Sequence, residues 1–224
     1  MAIPKALEPT GIVLVDKPAG PSSFAMVAEV RRRTGAKTGH AGTLDPFATG
    51  LLVLLSGRAT SLQDRFMKLD KRYLTEIDLT ATTTTGDPEG EESERHEPLA
   101  GAALDETLER LRGSVELPIP TASAVKIDGE RAYRLHRKGV AVDMPTRVMR
   151  VHSLEVVSRT AGALVLDLHV GSGTYVRALA EALSGHCTSL RRTTIGPFSV
   201  TDADAERVVP LTEALPALAG WTTP

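Results

Sequence analysis

Residues 51–55, Leu-Leu-Val-Leu-Leu, are apolar at every position. A segment that short and uniform has no polar face to turn to solvent, so it reads as a strand buried on both sides. Directly before it, residues 39–50 form a loop punctuated by Gly39, Gly42 and Gly50. A second apolar run, Ile12-Val13-Leu14-Val15, ends in the turn signal Asp16-Lys17-Pro18 and reads as another buried strand. The chain must therefore supply covering layers on both sides of a sheet, and 224 residues suffice for one large domain to do so. Its 42% hydrophobic and 24% charged composition is that of a folded protein and excludes a wholly disordered chain, a coiled coil and a collagen-like fibre.

Around these strands the pattern changes period. Pro21-Ser22-Ser23 opens a helix, with Ser22 or Ser23 as N-cap, Phe24, Val27, Ala28 and Val30 as its core face, and Gly35 as its stop. Residues 58–69 read as helix. Residues 71–80 alternate, placing Tyr73, Thr75, Ile77 and Leu79 on one face of a strand. Residues 104–112 form a short amphipathic helix, 148–157 and 163–170 a strand hairpin, 174–183 a helix and 193–200 a last strand. Strands and helices do not alternate regularly, so the expected class is α+β, with a mixed, largely antiparallel central sheet flanked by helices.

Charge and motifs narrow the function. The net charge is −2, but residues 28–72 carry nine basic against four acidic side chains, and residues 126–150 carry seven against three. Two such segments can form one phosphate-binding face, or each can be a solvated helix surface. The acidic stretch 87–109 reads as a solvated loop and helix face. No run approaches the ~20 apolar residues of a membrane span, and residues 1–6 lead into no secretion-signal core, so the expected address is cytoplasmic. Cys187 is the only cysteine, and the six histidines lack metal-ligand spacing, so no metal is expected. No phosphate-binding Gly-x-x-x-x-Gly-Lys loop and no Gly-x-Ser-x-Gly elbow is present, and Gly171-Ser172-Gly173 lacks the third glycine of a dinucleotide loop.

Three residues stand out chemically. Asp45 precedes Pro46 in the glycine-punctuated loop, beside the apolar strand. A carboxylate held on a rigid loop against a core is a nucleophile candidate, and it is equally readable as a turn cap. Arg177 falls in the first turn of a helix, where a cation opposes the helix dipole. Such a locally disfavoured cation can pair with a carboxylate such as Asp45, or sit on the surface. Tyr73 follows Lys71-Arg72 on an inward strand face, either as core or as a ring for stacking.

Five segments, in order, resemble the bacterial tRNA pseudouridine synthases of the TruB family. They are Asp16-Lys17-Pro18-x-Gly20-x-Ser22-Ser23; Gly39-His40-Ala41-Gly42-Thr43-Leu44-Asp45-Pro46-x-Ala48-Thr49-Gly50; Lys71-Arg72-Tyr73; Ser123-Ala124-x-Lys126-x-x-Gly129-x-Arg131-x-Tyr133; and Gly173-Thr174-Tyr175-x-Arg177. The resemblance implies a pseudouridine synthase fold and isomerisation of uridine-55 in the T-loop of tRNA, with no cofactor. It implies that Asp45 is the nucleophile, attacking either the ribose or the base. It implies that Tyr73 stacks on the flipped base and helps move a proton, and that Arg177 pairs with the aspartate. It implies that His40 fills the space vacated in the RNA loop, and that Lys17, Asp87 and Tyr175 lie near the nucleotide. A flipped base costs a few kcal/mol to extrude, which phosphate contacts can offset. A single carboxylate also differs from the pair that a glycosidase requires.

Two features depart from the family pattern. Residues 117–122 lack the Gln, second Pro and Tyr that many relatives show before Ser123, and the chain ends at Pro224 without the PUA-like domain usual in relatives. The expected organisation is a catalytic domain over 1–200 and a short extension over 201–224, acting as a monomer on the T-arm of tRNA without membrane or guide RNA. The alternatives are a guide-RNA-dependent pseudouridine synthase and a tRNA-binding folding chaperone.

Overall fold

A computed structural model describes residues 10–221. The sequence readings at residues 1–6 and at 222–224 lie outside the described residues. In chain order the elements are β1 (Gly11–Lys17), α1 (Ser23–Thr34), β2 (Thr38–His40), β3 (Thr49–Ser56), a 3-10 helix (Gly57–Leu62), α2 (Gln63–Met67) and β4 (Lys71–Asp78). There follow β5 (Ala81–Thr83), β6 (Glu92–Arg95), α3 (Gly101–Arg110), β7 (Gly113–Pro118), β8 (Lys126–Ile127), β9 (Glu130–Arg131) and α4 (Ala132–Arg137). The last are β10 (Thr146–Arg159), β11 (Ala163–Val170), α5 (Val176–Ala182), β12 (His186–Ile195), β13 (Phe198–Ser199), a 3-10 turn (Val200–Asp202), β14 (Asp204–Val209) and α6 (Leu211–Ala219).

The chain divides into two compact units, one of residues 1–74 with 190–224 and one of residues 75–189, so it passes between them inside β4 and inside β12. In the first unit β3 pairs along its length with β1, from Gly11 opposite Ser56 to Lys17 opposite Gly50. Every residue of β3 from Gly50 to Ser56 is buried, as its unbroken apolar run requires. Ile12 and Leu14 pack with Leu51, Val53, Leu55 and Phe66 on one side. Val13 and Val15 pack with Val27, Val30, Leu52 and Leu54 on the other. Most pairings are antiparallel, but β12 joins β3 in parallel, with Arg192 opposite Gly50. In the second unit β10 pairs antiparallel with both β11 and β7. The fold is α+β with a mixed, largely antiparallel sheet, as expected.

Local differences from the sequence reading have physical causes. In α1 the buried stripe is Ser23, Val27 and Val30, whereas Phe24 and Ala28 face outward. Ser22 takes the cap, its side chain accepting from Ala25 N–H, and Ser23 turns inward because its hydroxyl is bonded there. The expected helix over 58–69 is a 3-10 segment followed by the short α2. Thr60 and Ser61 hydroxyls bond the carbonyls of Gly57 and Arg58 three residues back, a competitor to regular helix. The last expected strand, over 193–200, is the end of β12, a turn at Gly196 and the two-residue β13. Residues 204–219 belong to the first unit, where β14 pairs antiparallel with β1 and Ala214 of α6 joins the core.

Candidate active site

The Asp45 loop spans residues 41–48, between β2 and β3, and is tied down from three directions. Ser23 Oγ donates to Leu44 O at 2.9 Å and accepts from Leu44 N–H at 2.8 Å, a buried two-way clamp on the residue before Asp45. Lys17, wholly buried at the end of β1, donates from Nζ to the carbonyls of Pro18, Pro21 and Pro46, the last at 3.1 Å. Arg192, 1% exposed on β12, donates from Nε to Leu51 O at 2.7 Å and from its two Nη atoms to Gly42 O at 3.2 Å and Thr43 O at 3.5 Å. Gly20 N–H reaches Pro46 O at 2.8 Å, and Ala48 N–H closes back on Asp45 O at 3.1 Å. Asp45 is itself half-buried, between buried Leu44 and Ala48.

Glycine is required where this loop meets the sheet. Gly50 has φ +101°, and a β-carbon there would lie 2.2 Å from Arg192 O, so only glycine lets β3 and β12 approach in this register. His40, at the end of β2, has a half-buried ring whose Nδ1 is buried and makes no hydrogen bond. Burial, helped by the Arg192 guanidinium, holds its imidazolium below the ordinary range, so the ring is neutral at physiological pH. Tyr73 is buried on the inward face of β4, as its alternation predicts, and Lys71 precedes it on the same face. Burial first, then the Arg192 charge, lower the Lys71 ammonium to about 8, and Asp70 opposes them.

The second unit gathers the other candidates. Arg177 follows Val176 in the first turn of α5, buried, and donates to Thr85 O at 2.7 Å and Ala122 O at 3.0 Å. It forms an ion pair with buried Asp87 at 3.4 Å. Asp87 Oδ1 accepts from Thr85 Oγ1 at 2.6 Å and from Glu89 N–H at 3.0 Å. Glu181, one turn after Arg177, has its carboxyl raised by burial, with Arg177 opposing and Asp87 reinforcing the shift. Tyr175 is the N-cap residue of α5, and the Arg147 guanidinium lies 5.8 Å from its ring centre. Within neither unit, taken alone, do three or more His, Cys, Asp or Glu side chains of the described residues converge at metal-ligating distance.

Lys17, His40, Asp45 and Tyr73 thus share the first unit, and Asp87, Tyr175 and Arg177 the second. The Lys17 ammonium lies under the turn of residues 18–21, bonded to backbone carbonyls, and it acts there as a strut of the loop. The sequence reading did not single out Ser23 as a clamp, Arg192, or Asp87 as an ion partner of Arg177. The doublet Ser22-Ser23 was a signal for the first, since one serine suffices for a cap. Arg192 carried no signal, because a buried cation in a strand looks like any polar position.

Comparison with known proteins decides the family. Residues 30–176 match the model of the TruB family pseudouridylate synthase N-terminal domain. The chain belongs to the TruB family. Among its relatives, tRNA pseudouridine synthase B of Leifsonia xyli subsp. xyli is 41% identical over 93% of this chain and 77% of its own length. The protein of the same name from Thermobifida fusca is 43% identical over 92% and 79%. Among solved structures, a Cbf5-Nop10-Gar1 complex contains a chain with TM-score 0.64 and 25% identity over 85% of this chain, which spans half of that chain's length. A crystal structure of a pseudouridylate synthase, at 16% identity and TM-score 0.53, covers 95% of this TruB-family chain and 75% of its own, and shows the fold alone. The fold is that of the pseudouridine synthases.

Proposed function

We propose that this chain is a tRNA pseudouridine synthase that isomerises uridine-55 in the T-loop, a cytoplasmic enzyme acting as a monomer on tRNA without a guide RNA. The observation that carries the reading is the anchoring of the Asp45 loop. Three buried side chains from three separate elements, Lys17, Ser23 and Arg192, all bond its backbone, in a chain that belongs to the TruB family. A reacting carboxylate needs that preorganisation, because a misplacement of about 1 Å can cost ~10²-fold in rate. A turn-capping aspartate needs no such scaffold.

The chemistry assigned to these residues is an isomerisation. The bond from ribose C1′ to uracil N1 breaks, the base turns, and a bond from C1′ to C5 forms. The C5 proton leaves and N1 ends protonated, so the formula is unchanged and no electron donor or acceptor enters. Asp45 is the nucleophile, at C1′ or on the ring. Tyr73 is the stacking group and proton carrier. The family resemblance assigns Arg177 to pairing with the aspartate, His40 to the space left by the flipped base, and Lys17, Asp87 and Tyr175 to the nucleotide. The basic segments 28–72 and 126–150 supply phosphate contacts. The test is incubation of this chain with an unmodified tRNA transcript and no other RNA or protein, followed by mapping of pseudouridine. The expected product lies at position 55. Product only after a guide RNA is added would replace this reading with the guide-dependent one, and tight binding without product would replace it with a chaperone.

A further inference from the structure

Phe24 is the most exposed large apolar side chain among the described residues, at 73%. Its place is set by the α1 stripe: with Ser23, Val27 and Val30 turned inward, position 24 points about 100° away from the core. A lone exposed apolar residue needs no explanation. The setting of this one gives it an explanation. Ser23, next to it, clamps Leu44 from both sides, so Phe24 stands at the rim of the Asp45 loop. Its ring meets the His40 ring edge to face at 5.4 Å, and His40 is the residue from which that loop departs. Gln63 Nε2 bonds His40 O at 3.1 Å and approaches Met67 Sδ at 3.7 Å, and Met67 is also exposed. In that same α2 helix Asp64 and Arg65 are exposed, as is Lys68, its C-cap residue.

We propose that the exposed Phe24 ring, held edge to face against His40, is an aromatic platform on which an unstacked base of the RNA substrate lies, next to the base presented to Asp45. The proposal rests on the function proposed above and adds a base-binding residue to it. The ligand class follows from the chemistry. A flat, uncharged, solvent-exposed aromatic ring is complementary to a nucleobase, since every base offers a π face whatever its sequence. A membrane or protein partner would call for a wider apolar surface than one exposed ring.

The experiment uses the whole chain and a synthetic unmodified T-arm stem-loop. Phe24→Ala should weaken binding about tenfold, which is about 1.4 kcal/mol, and the loss should be the same at every salt concentration, since a stacking contact releases no counterions. Phe24→Trp and Phe24→Tyr should restore binding, and Phe24→Leu, which keeps apolar area without a π face, should not. Thermal unfolding of each variant should match the parent, because the side chain leaves no cavity. Phe24→Ala binding within twofold of the parent, or full rescue by Leu, overturns the platform. The parent's turnover of the same stem-loop is measured alongside. If the parent forms pseudouridine and Phe24→Ala binds normally, only the platform falls. If the parent neither binds nor modifies the RNA, the function proposed above falls first.

Discussion

Ser23→Ala removes one hydroxyl and should damage both folding and catalysis. The hydroxyl donates to Leu44 O at 2.9 Å and accepts from Leu44 N–H at 2.8 Å, and both residues are buried. Alanine therefore strands a buried donor and a buried acceptor of the same residue, Leu44. A buried unsatisfied polar group costs about 1–3 kcal/mol, so the pair should cost roughly 2–6 kcal/mol of stability. In a domain of this size that corresponds to a fall in the thermal midpoint of about 4–24 °C. The released residue lies directly before Asp45. If its loosening displaces the carboxylate by about 1 Å, the single-turnover rate on tRNA should fall ~10²-fold, while tRNA affinity changes far less. Two measurements check this: urea unfolding of parent and variant, and single-turnover formation of pseudouridine at saturating enzyme. Threonine keeps the hydroxyl and should recover most of the rate. A variant within about 0.5 kcal/mol of the parent in stability and unchanged in rate would refute the claim that this clamp positions Asp45.

Asp45→Asn keeps shape and loses the nucleophile, so turnover should vanish while tRNA affinity stays within several-fold of the parent; turnover near the parental rate removes Asp45 from the mechanism. Tyr73→Phe keeps the ring and loses the hydroxyl, and the chemical step should slow by ~10² or more; an unchanged single-turnover rate confines Tyr73 to stacking. Lys71 titrates near 8 in the folded chain, below its ordinary 10.5, so the unfolded chain binds more protons between those values and stability from this group rises with pH across that window. The burial cost of its charge is fully present below about pH 8. Denaturant unfolding should show a slope of up to about 1.4 kcal/mol per pH unit from Lys71, absent in Lys71→Met; identical slopes in the two proteins would count against a depressed Lys71.

The parts of this fold that were legible in the sequence are those whose pattern has one physical solution. The all-apolar residues 51–55 admit only a strand covered on both sides, and β3 is buried from Gly50 to Ser56. The alternation at 73, 75, 77 and 79 admits only an inward face, and Tyr73, Thr75, Ile77 and Leu79 are all buried. What escaped depends on partners far along the chain. Phe24 was placed in the core because a helix stripe of 24, 27, 28 and 30 is as good a pattern as 23, 27 and 30. The choice between them was made by Leu44, 21 residues on, which gives the Ser23 hydroxyl a reason to be inside. Likewise β14 reads as a polar segment, Asp204-Ala205-Glu206-Arg207, and becomes a strand because β1 offers it an edge.

The candidate site divides along the same line. Asp45, Arg177 and Tyr73 could each be singled out as candidates, by a loop position before Pro46, a cation in the first turn of a helix and a ring on an inward strand face, and the family resemblance then assigned them roles. Their support could not be singled out in this way. Lys17 and Arg192 are buried cations that give their N–H groups to carbonyls near Asp45, at Pro46, Gly42 and Thr43. Burying two cations is expensive, and an apolar core would be the more stable solution at those positions. A loop that turns at Gly42 and Gly50, each with positive φ, leaves carbonyls pointing inward that no strand can satisfy. Long cationic side chains are the donors able to reach them from a neighbouring strand. The scaffold thus costs stability and returns a fixed backbone under Asp45. On this argument Arg192→Met, close in volume but without donors, should harm the fold less than it harms turnover.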